Sequence, residues 1–400
     1  MVNRRVGAAY GSGVRVLDVR ERSVPISRFA DPALASGSLT TSIVAVATDA
    51  RRDGVPVVGY GFASFGRFAQ GGLIRERFAP RLLAAGGGLD PFRAWEAMMA
   101  GEKPGGHGER CVAVGALDMA LWDASAKAAG LPLHHHLAEV LPQARPQPDV
   151  AVYAAGGYRY PADDLRLLEH EARALVELGH EMVKIKVGAA SIAEDLRRID
   201  VVLGVVGDPR RLAVDAMNAW AGTTGIEAAR ALAPYGLRWL EDVGDPHDFE
   251  GLSALAAAYD APLAAGEALF SAAEAHLLRR HGSLRPDRDV LVFDPVHCYG
   301  IPGFLSILAE FEAAGWERSA FWPHGGHLFC LHLVAALGLG GAELNPLAFQ
   351  PFGGLTDAAR VEHGRATPPE LPGIGFEGRA ALRSLFSGLG LEPPRVPPMG

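Results

Sequence analysis

Three carboxylates at equal intervals form the set of residues most suggestive of chemistry in this sequence. Asp215, Glu241 and Glu267 each follow a short apolar run, in AVD, WLE and AGE. Carboxylate oxygens are hard ligands, and a set without cysteine or histidine suits Mg²⁺ better than zinc or copper. Three converging carboxylates would repel one another without a cation. We therefore predict that these residues hold Mg²⁺.

A lysine pair offers a general base beside that site. Lys184 and Lys186 in VKIKVG are two residues apart, so on a strand they face the same side. Two ammonium groups next to a divalent metal are expected to depress each other's pKa from about 10.4 toward the operating pH. The apolar neighbours Val183, Ile185 and Val187 argue against an exposed basic strand.

Asp294 and His324 end the next two apolar runs, in VFD and WPH. In neighbouring strands the carboxylate can orient the imidazole and keep it protonated, which makes a general acid opposite the lysines. We interpret the other histidines as structural. The triplet His134–His136 is expected to begin a short helix, with its side chains partly exposed, rather than to bind a metal.

Over residues 149–351, short apolar runs alternate with Ala-, Leu- and Glu-rich helical stretches, and these chemistry-bearing residues stand at the ends of the apolar runs. A repeating βα unit of this kind predicts a barrel of parallel strands, whose C-terminal strand ends converge on one face. The eight candidate strands end near Ala154, Lys186, Asp215, Glu241, Glu267, Asp294, His324 and Asn345.

Residues 1–148 have a different pattern of apolar and polar residues. SIVAVATD and VPVVGYGFAS are typical of strands, RCVAVGALDMALWDASAKAAG is typical of a helix, and the Pro-rich LPQARPQPD separates this part from the barrel. We predict an α+β capping domain over 1–148, a barrel over 149–351, and a C-terminal segment, 352–400, that packs back on the capping domain.

Composition narrows the class of protein. The chain has 400 residues, of which 49% are hydrophobic. Its net charge is -8 and no run of five like charges occurs. Nucleic acid and anionic membranes are therefore not expected partners. Three distant cysteines argue against a disulfide framework. We see no signal peptide or transmembrane run, and expect a cytoplasmic enzyme acting on a small molecule.

The K-x-K pair, the acidic triad and the Asp–His dyad resemble the mandelate racemase/muconate lactonizing enzyme branch of the enolase superfamily. Its fold is a modified (β/α)₇β TIM-type barrel with an α+β capping domain. The resemblance covers residues 40–377. GGLIRERF, EKPGGHGER, YAAGGY, RPDRD, PHGGH and LPGIGFEG are most similar to the tartrate dehydratases of that branch.

The resemblance implies a Mg²⁺-dependent hydro-lyase and a homo-oligomer. Lys186 would be the base, His324 the acid that helps the β-hydroxyl leave, and Asp215, Glu241 and Glu267 the Mg²⁺ ligands. The product would be a 2-keto-3-deoxy acid. Active sites of this superfamily combine a Lys or His base with Mg²⁺ that stabilises an ene-diolate.

Substrate contacts are implied for Lys103, Tyr160 and Lys184. Other positions near the expected pocket differ from the tartrate dehydratase pattern and lose polar side chains, and a site built to bind hydroxyl groups loses affinity when partners are removed. The changed positions are Phe65, Met217, Leu344 and Asn345, and the retained Glu343 precedes the last two; all five are candidate substrate contacts. We therefore predict dehydration of a hydroxy acid or acid sugar that is less polar than D-tartrate or differently shaped.

Three alternatives remain open. The same lysine and histidine could exchange a proton across a planar enediolate, which would give a racemase or epimerase of a 2-hydroxy acid. The barrel could bind a sugar acid without catalysis. An unrelated barrel enzyme could form a Schiff base through Lys184 or Lys186.

Overall fold

The computed structural model describes residues 13–31, 34, 37, 39–88 and 90–391. The Pro-rich tail from residue 392 onward lies outside the described residues.

The N-terminal unit, residues 13–140, begins with an antiparallel sheet in the order β1–β2–β3. Its strands are β1 (Val16–Pro25), β2 (Thr40–Arg52) and β3 (Val55–Phe62). Asp53 and Gly54 join the last two strands with φ angles of 51° and 78°. An Asp-Gly pair is favoured in such a hairpin turn because both central residues need positive φ. The two predicted strands are therefore observed, and β1 is an additional one.

A long helix covers this sheet. Gly59 and Gly61 on β3 allow the close approach, since a Cβ atom at those positions would lie 1.9 Å and 2.3 Å from carbonyl oxygens of the helix. The helix ends at Gly130, whose φ is 75°. The helices of the unit are α1 (Gln70–Leu73), α2 (Ala79–Ala84), α3 (Pro91–Met99), the long α4 (Glu109–Ala129) and α5 (Leu133–Val140), with a π-helical turn at Ile74–Phe78.

The second sheet is parallel and curls into the predicted barrel, in the order β10–β4–β5–β6–β7–β8–β9. The strands are β4 (Val150–Gly156), β5 (Val183–Lys186), β6 (Leu212–Asp215), β7 (Leu240–Glu241), β8 (Leu263–Ala265), β9 (Val290–Leu291) and β10 (Ala342–Leu344). A short outer strand, β11 (Arg365–Ala366), pairs with β4 in the antiparallel direction. The fold is the (β/α)₇β barrel with a capping domain that the sequence predicted.

The strand predicted to end at His324 is reduced to a single bridge between Phe321 and Leu291. The N–H groups of Trp322 and His324 still donate to carbonyl groups of the β9 segment, at 2.9 Å and 3.2 Å. Pro323 lies between them and cannot donate to a ladder, which explains why no longer strand forms. The chain nevertheless occupies the expected place in the barrel wall.

Helices fill the intervals between the strands, with buried apolar faces such as Ile199 and Val202 of α7. Ser191 and Glu194 form a capping box at the start of that helix. In the described part of the chain, no helix combines the length and apolar character needed to cross a membrane. The barrel helices are α6 (Asp164–Glu177), α7 (Ile192–Val206), α8 (Thr223–Leu232), α9 (Phe249–Ala258), α10 (Ala272–His281), α11 (Ile301–Glu312) and α12 (Leu328–Leu337).

The C-terminal segment contacts the N-terminal unit. The ring of Phe386 in α13 (Ala380–Ser387) stacks on Tyr60, with 4.7 Å between ring centroids. The buried Lys127 ammonium lies 2.5 Å from a carboxylate oxygen of Glu377. The domain boundaries at 148 and 352, and the packing of the whole C-terminal segment on the capping domain, stay predictions.

Candidate active site

The three predicted metal ligands come together at one face of the barrel. Asp215 and Glu241 end β6 and β7, and Glu267 lies two residues beyond β8. One oxygen of each carboxylate lies within 4.8 Å of the others. Oε2 of Glu267 is buried and has no hydrogen-bond partner. An unpartnered carboxylate oxygen aimed into a group of carboxylates is suited to a cation.

A fourth carboxylate, which the sequence analysis missed, strengthens that fit. Asp242 follows Glu241 with a φ of 45°, and its buried Oδ2 also has no hydrogen-bond partner. Burial, with Glu267 and Asp215 nearby, raises the pKa of Asp242 well above its usual range. Burial likewise raises the pKa of Glu241 to about 7. The donor set consists of oxygen atoms only, so it fits Mg²⁺.

The lysine pair lies beside these carboxylates. Lys184 is fully buried, and its Nζ lies 2.5 Å from Glu241 Oε1 and 2.9 Å from Glu343 Oε2. Lys186 forms an ion pair with Asp215. Burial lowers the pKa of both lysines, but these carboxylates outweigh it and raise both values. Lys184 does lower the pKa of Lys186, but in the protein alone the carboxylates in contact outweigh it, and the depression expected beside a bound metal stays a prediction.

The Asp–His dyad lies at the other end of the triad. His324 Nδ1 is 2.9 Å from Asp294 Oδ2, and His324 Nε2 is 3.6 Å from Glu267 Oε2. Burial lowers the pKa of His324, but Glu267, Glu343 and Asp294 together raise it to about 10. This direction favours the protonated imidazole, which is the form that can act as an acid. Lys186 contacts the first ligand of the triad and His324 the last, so the two groups flank it.

Two further residues contact Asp294 and were not found from the sequence. Ser64, in the loop after β3, donates its hydroxyl to Asp294 Oδ2 over 2.7 Å. His297 Nε2 lies 3.6 Å from the same oxygen. The segment GFASF gave no sign of the first contact. The second could have been suspected, because His297 lies three residues after the aspartate on the same strand-end loop.

A cavity of about 640 Å³ opens onto Lys186. Tyr158 forms part of its wall, with the Lys186 ammonium 5.5 Å and the Arg28 guanidinium 5.4 Å from its ring centroid. The distance between the two cations therefore cannot exceed the sum of their distances to the Tyr158 ring centroid. Tyr158 ends the YAAGGY motif, so its place could have been expected, whereas Arg28 comes from the N-terminal unit and had no sequence signal.

Two predicted substrate contacts line this cavity, in different ways. Met217 is 47% exposed, and its side chain is free to meet a ligand. Tyr160 also borders the cavity, but its hydroxyl donates to Glu171 over 2.8 Å and is already engaged. Tyr160 therefore offers a ring surface rather than a hydroxyl group.

Glu343 and Asn345 hold Lys184 in place. Glu343 accepts hydrogen bonds from Tyr153, at 2.8 Å, and from Lys184, and it also accepts from Asn345 Nδ2 at 3.2 Å. Leu344, between them, faces the opposite side of β10 and is fully buried in the hydrophobic core. Leu344 therefore cannot contact a ligand at this face.

Phe65 and Lys103 lie away from the cavity wall. The ring of Phe65 stacks on Phe349, with 4.3 Å between centroids, and only 3% of the residue is exposed. Lys103 is exposed in the loop between α3 and α4, where its carbonyl accepts from Arg110 at 3.1 Å. Neither residue is among those that border the cavity next to Lys186.

Comparisons with known proteins identify the family of this chain. Residues 15–137 match the mandelate racemase/muconate lactonizing enzyme N-terminal domain, and residues 167–382 match the enolase C-terminal domain-like family. L-talarate/galactarate dehydratase of Salmonella typhimurium is 30% identical over 94% of this chain and 91% of its own. The structure of L-talarate dehydratase from Polaromonas sp. JS666, complexed with Mg and L-glucarate, has a TM-score of 0.71 and 29% identity, over 90% of this chain and 94% of that one.

A hydrophobic dipeptide epimerase of Enterococcus faecalis is also similar, with 27% identity over 71% of this chain and 75% of its own. This chain therefore belongs to the mandelate racemase/muconate lactonizing enzyme branch of the enolase superfamily. It is a Mg²⁺-dependent enzyme, and the dehydratases among its relatives are hydro-lyases.

Proposed function

We propose that the protein is a Mg²⁺-dependent dehydratase of an acid sugar, with a 2-keto-3-deoxy acid as product. The observation that carries this proposal is the placement of Lys186 and of the Asp294–His324 pair on opposite flanks of the carboxylate triad. A base and an acid on either side of a bound carboxylate are what removal of an α-proton and departure of a β-hydroxyl require. The dehydratases among the relatives act on compounds of this kind.

Lys186 must lose its own proton before it can act as a base, and its ion pair with Asp215 would weaken when that carboxylate serves as a metal ligand. Neutral Lys186 then takes the proton from the carbon next to the carboxylate. The electrons of that C–H bond form the enediolate. His324 then donates its proton to the β-hydroxyl group, which leaves as water with the C–O bonding pair. The resulting enol becomes the 2-keto-3-deoxy acid by proton transfer to carbon. Asp294 retains the hydrogen bond to His324 Nδ1 throughout, which fixes the ring orientation.

Asp215, Glu241 and Glu267 would hold Mg²⁺, which supplies positive charge to stabilise the substrate carboxylate as negative charge develops. The Lys184 ammonium is fully buried and fixed by Glu241 and Glu343, so it provides a second positive charge at a defined position. Glu343 and Asn345 thus act through Lys184 in this proposal rather than on substrate.

The cavity supports a substrate with two carboxylates. The Arg28 guanidinium and the Lys186 ammonium both lie near the Tyr158 ring, and all three residues line the cavity. An acid whose first carboxylate lies at the metal site would extend its far end toward Arg28, where a second carboxylate can be paired. The exposed Met217 beside this path would meet the carbon chain. We therefore propose a sugar diacid other than D-tartrate as the substrate.

We also propose a cellular location, an oligomeric state and a binding partner for this protein. A cytoplasmic location follows from the sequence, and a homo-oligomer follows from the family resemblance. The partner we propose is the acid-sugar substrate itself.

Epimerisation is the second candidate function. Lys186 and His324 flank the triad, so one could remove a proton and the other return it on the opposite face. The similarity to a dipeptide epimerase shows that this branch includes such chemistry. An epimerase would need His324 to donate to carbon rather than to a leaving hydroxyl group.

A screen of mono- and diacid sugars in D₂O with Mg²⁺ separates these functions. Dehydration gives a 2-keto-3-deoxy acid, whereas epimerisation gives deuterated substrate and its epimer without keto acid. Lys186→Ala should abolish α-proton exchange from one stereoisomer. His324→Asn should stop keto-acid formation while exchange by Lys186 continues. His170→Asn, at an exposed histidine, is the matched control. Unchanged turnover in Lys186→Ala would reject both functions.

A further inference from the structure

A second group of metal-binding side chains lies at the start of α5, in the N-terminal unit. The triplet His134–His136 begins this short helix, as predicted, but His134 and His136 are buried and only His135 is exposed. One ligand atom from each of His134, His135 and Glu370 lies within 4.8 Å of the other two. Glu370 belongs to the C-terminal segment, so the group joins two parts of the chain.

The hydrogen bonds of a neighbouring histidine define the tautomer of His134. His332 Nε2 lies 3.0 Å from the carbonyl oxygen of Ile374, which can only accept, so this nitrogen carries hydrogen. His332 Nδ1 accepts the backbone N–H of His134 at 3.2 Å, so this nitrogen has none. The 3.0 Å contact between the Nδ1 atoms of the two rings is then a bond donated by His134. In the neutral ring of His134, Nε2 then carries the lone pair.

That lone pair faces a carboxylate. His134 Nε2 lies 3.6 Å from Glu370 Oε1, and His135 Nε2 lies 3.4 Å from Glu370 Oε2. Both distances exceed the 2.7–3.2 Å typical of such hydrogen bonds. Two ligand atoms about 2.0–2.1 Å from a tetrahedral Zn²⁺ ion lie about 3.3 Å apart. Two acceptors facing each other at this separation are therefore suited to a shared cation.

We propose that His134, His135 and Glu370 bind a divalent transition metal such as Zn²⁺, in a site separate from the carboxylate triad. Two imidazoles and one carboxylate select ions of this class over Mg²⁺. The bond from His134 Nδ1 to His332 orients the first ligand in the way that outer partners of metal-bound histidines do.

The surrounding chain already positions Glu370 for this role. The N–H of Leu133 donates to the carbonyl of Gly373 over 2.7 Å, and the N–H of Gly373 donates to the carbonyl of Leu131 over 2.9 Å. The loop that carries Glu370 is thus fixed beside the first turn of α5. Bound metal would link this loop to the helix, and it would stabilise the folded chain by an amount that grows with the logarithm of the metal concentration above Kd.

Copper provides the test, because its electron paramagnetic resonance spectrum reports nitrogen ligands. Full-length protein in excess Mg²⁺ is titrated with Cu²⁺, so that the all-oxygen triad is filled. We expect one Cu²⁺ per chain with couplings from two imidazole nitrogens. His135→Ala should leave one such nitrogen, and His135→Ala and Glu370→Gln should each weaken binding by at least about tenfold. Both side chains are more than half exposed, so the variants should fold.

His170→Ala, at an exposed histidine of α6, is the matched control and should bind as the wild type does. Zn²⁺ should raise the Tm of the wild type and the control but not that of His135→Ala. The proposal is overturned if the wild type shows no two-nitrogen copper signal, or if His135→Ala and Glu370→Gln retain the wild-type affinity and spectrum.

Discussion

Ser64 Oγ lies 2.7 Å from Asp294 Oδ2, so a hydroxyl group of the N-terminal unit donates to the carboxylate that orients His324. Ser64 is only 1% exposed and has a φ of 52°, a conformation that side-chain-bearing residues seldom adopt. The loop after β3 therefore contributes to the acid side of the site, and the N-terminal unit completes a pair of residues that belongs to the barrel.

Removing this hydroxyl should slow the proposed reaction. Hydrogen bonds to charged groups contribute about 1.5–3 kcal/mol, so Ser64→Ala should lower kcat about tenfold or more, with little change in KM. Ser64→Gly removes the same hydroxyl without strain at positive φ and should show the same loss. Thr41→Val is the control, because Thr41 donates to the Ser64 carbonyl and not to Asp294. Equal losses in Thr41→Val would assign the effect to loop position instead.

Mg²⁺ dependence should require Glu267. Its Oε2 is buried without a hydrogen-bond partner, so Glu267→Gln keeps the shape of the side chain and removes a charged ligand. We expect chelation by EDTA to abolish turnover, and Glu267→Gln to weaken Mg²⁺ binding by at least about tenfold in calorimetry. Glu250→Gln, at an exposed glutamate of α9, should retain wild-type affinity. Full Mg²⁺ affinity in Glu267→Gln would remove this residue from the ligand set.

Arg28 should distinguish diacids from monoacids. If its guanidinium pairs with a second carboxylate, Arg28→Met should raise KM for a diacid about tenfold or more, while a monoacid of similar length is affected little. Arg159→Met is the matched control, because it removes another arginine that borders the same cavity, one that donates to the Ala189 carbonyl at 3.2 Å and to Glu194 at 3.4 Å. A uniform loss for both classes of acid in Arg28→Met would contradict a role in binding the far carboxylate.

The buried His180 should make stability depend on pH. Burial lowers its pKa from 6.5 to about 4, so the folded state keeps it neutral while the unfolded chain binds a proton below pH 6.5. The contribution of neutral His180 to the free energy of unfolding is complete above pH 6.5 and is lost as pH falls toward 4. The free energy of unfolding, measured in urea between pH 4 and 6.5, should depend less steeply on pH in His180→Gln. The difference in slope corresponds to at most one proton taken up on unfolding. Identical slopes in the wild type and His180→Gln would show that His180 does not change its protonation on unfolding. His170→Gln, which replaces an exposed histidine, is the control.

The sequence predicted the barrel face well because parallel strands impose a simple rule. Chemistry-bearing residues that follow successive strands must meet at the same end of the barrel. Asp215, Glu241 and Glu267 come together for this reason, although the last lies beyond its strand. Alternation along β10 could also have excluded Leu344, because its neighbour Glu343 faces the site.

Contacts between the two parts of the chain could not be predicted in the same way. Ser64 and Arg28 reach the site from loops whose direction depends on how the N-terminal unit packs, and no local pattern encodes that packing. Lys103 was expected at the site from resemblance and lies exposed instead. The tautomer of His134 likewise depends on His332, nearly two hundred residues later in the chain, with which it shares a buried hydrogen bond.

The reduced seventh strand has a consequence for how this scaffold can change. Lys186 is anchored on a four-residue strand with hydrogen-bonded neighbours on both sides, whereas His324 follows a single bridge at Phe321. Substitutions around His324 can alter the position of the acid without breaking a continuous ladder. A redesign toward a different outcome for the same carbanion should therefore keep β5 constant and vary the chain around residues 321–326, where a single bridge holds the backbone.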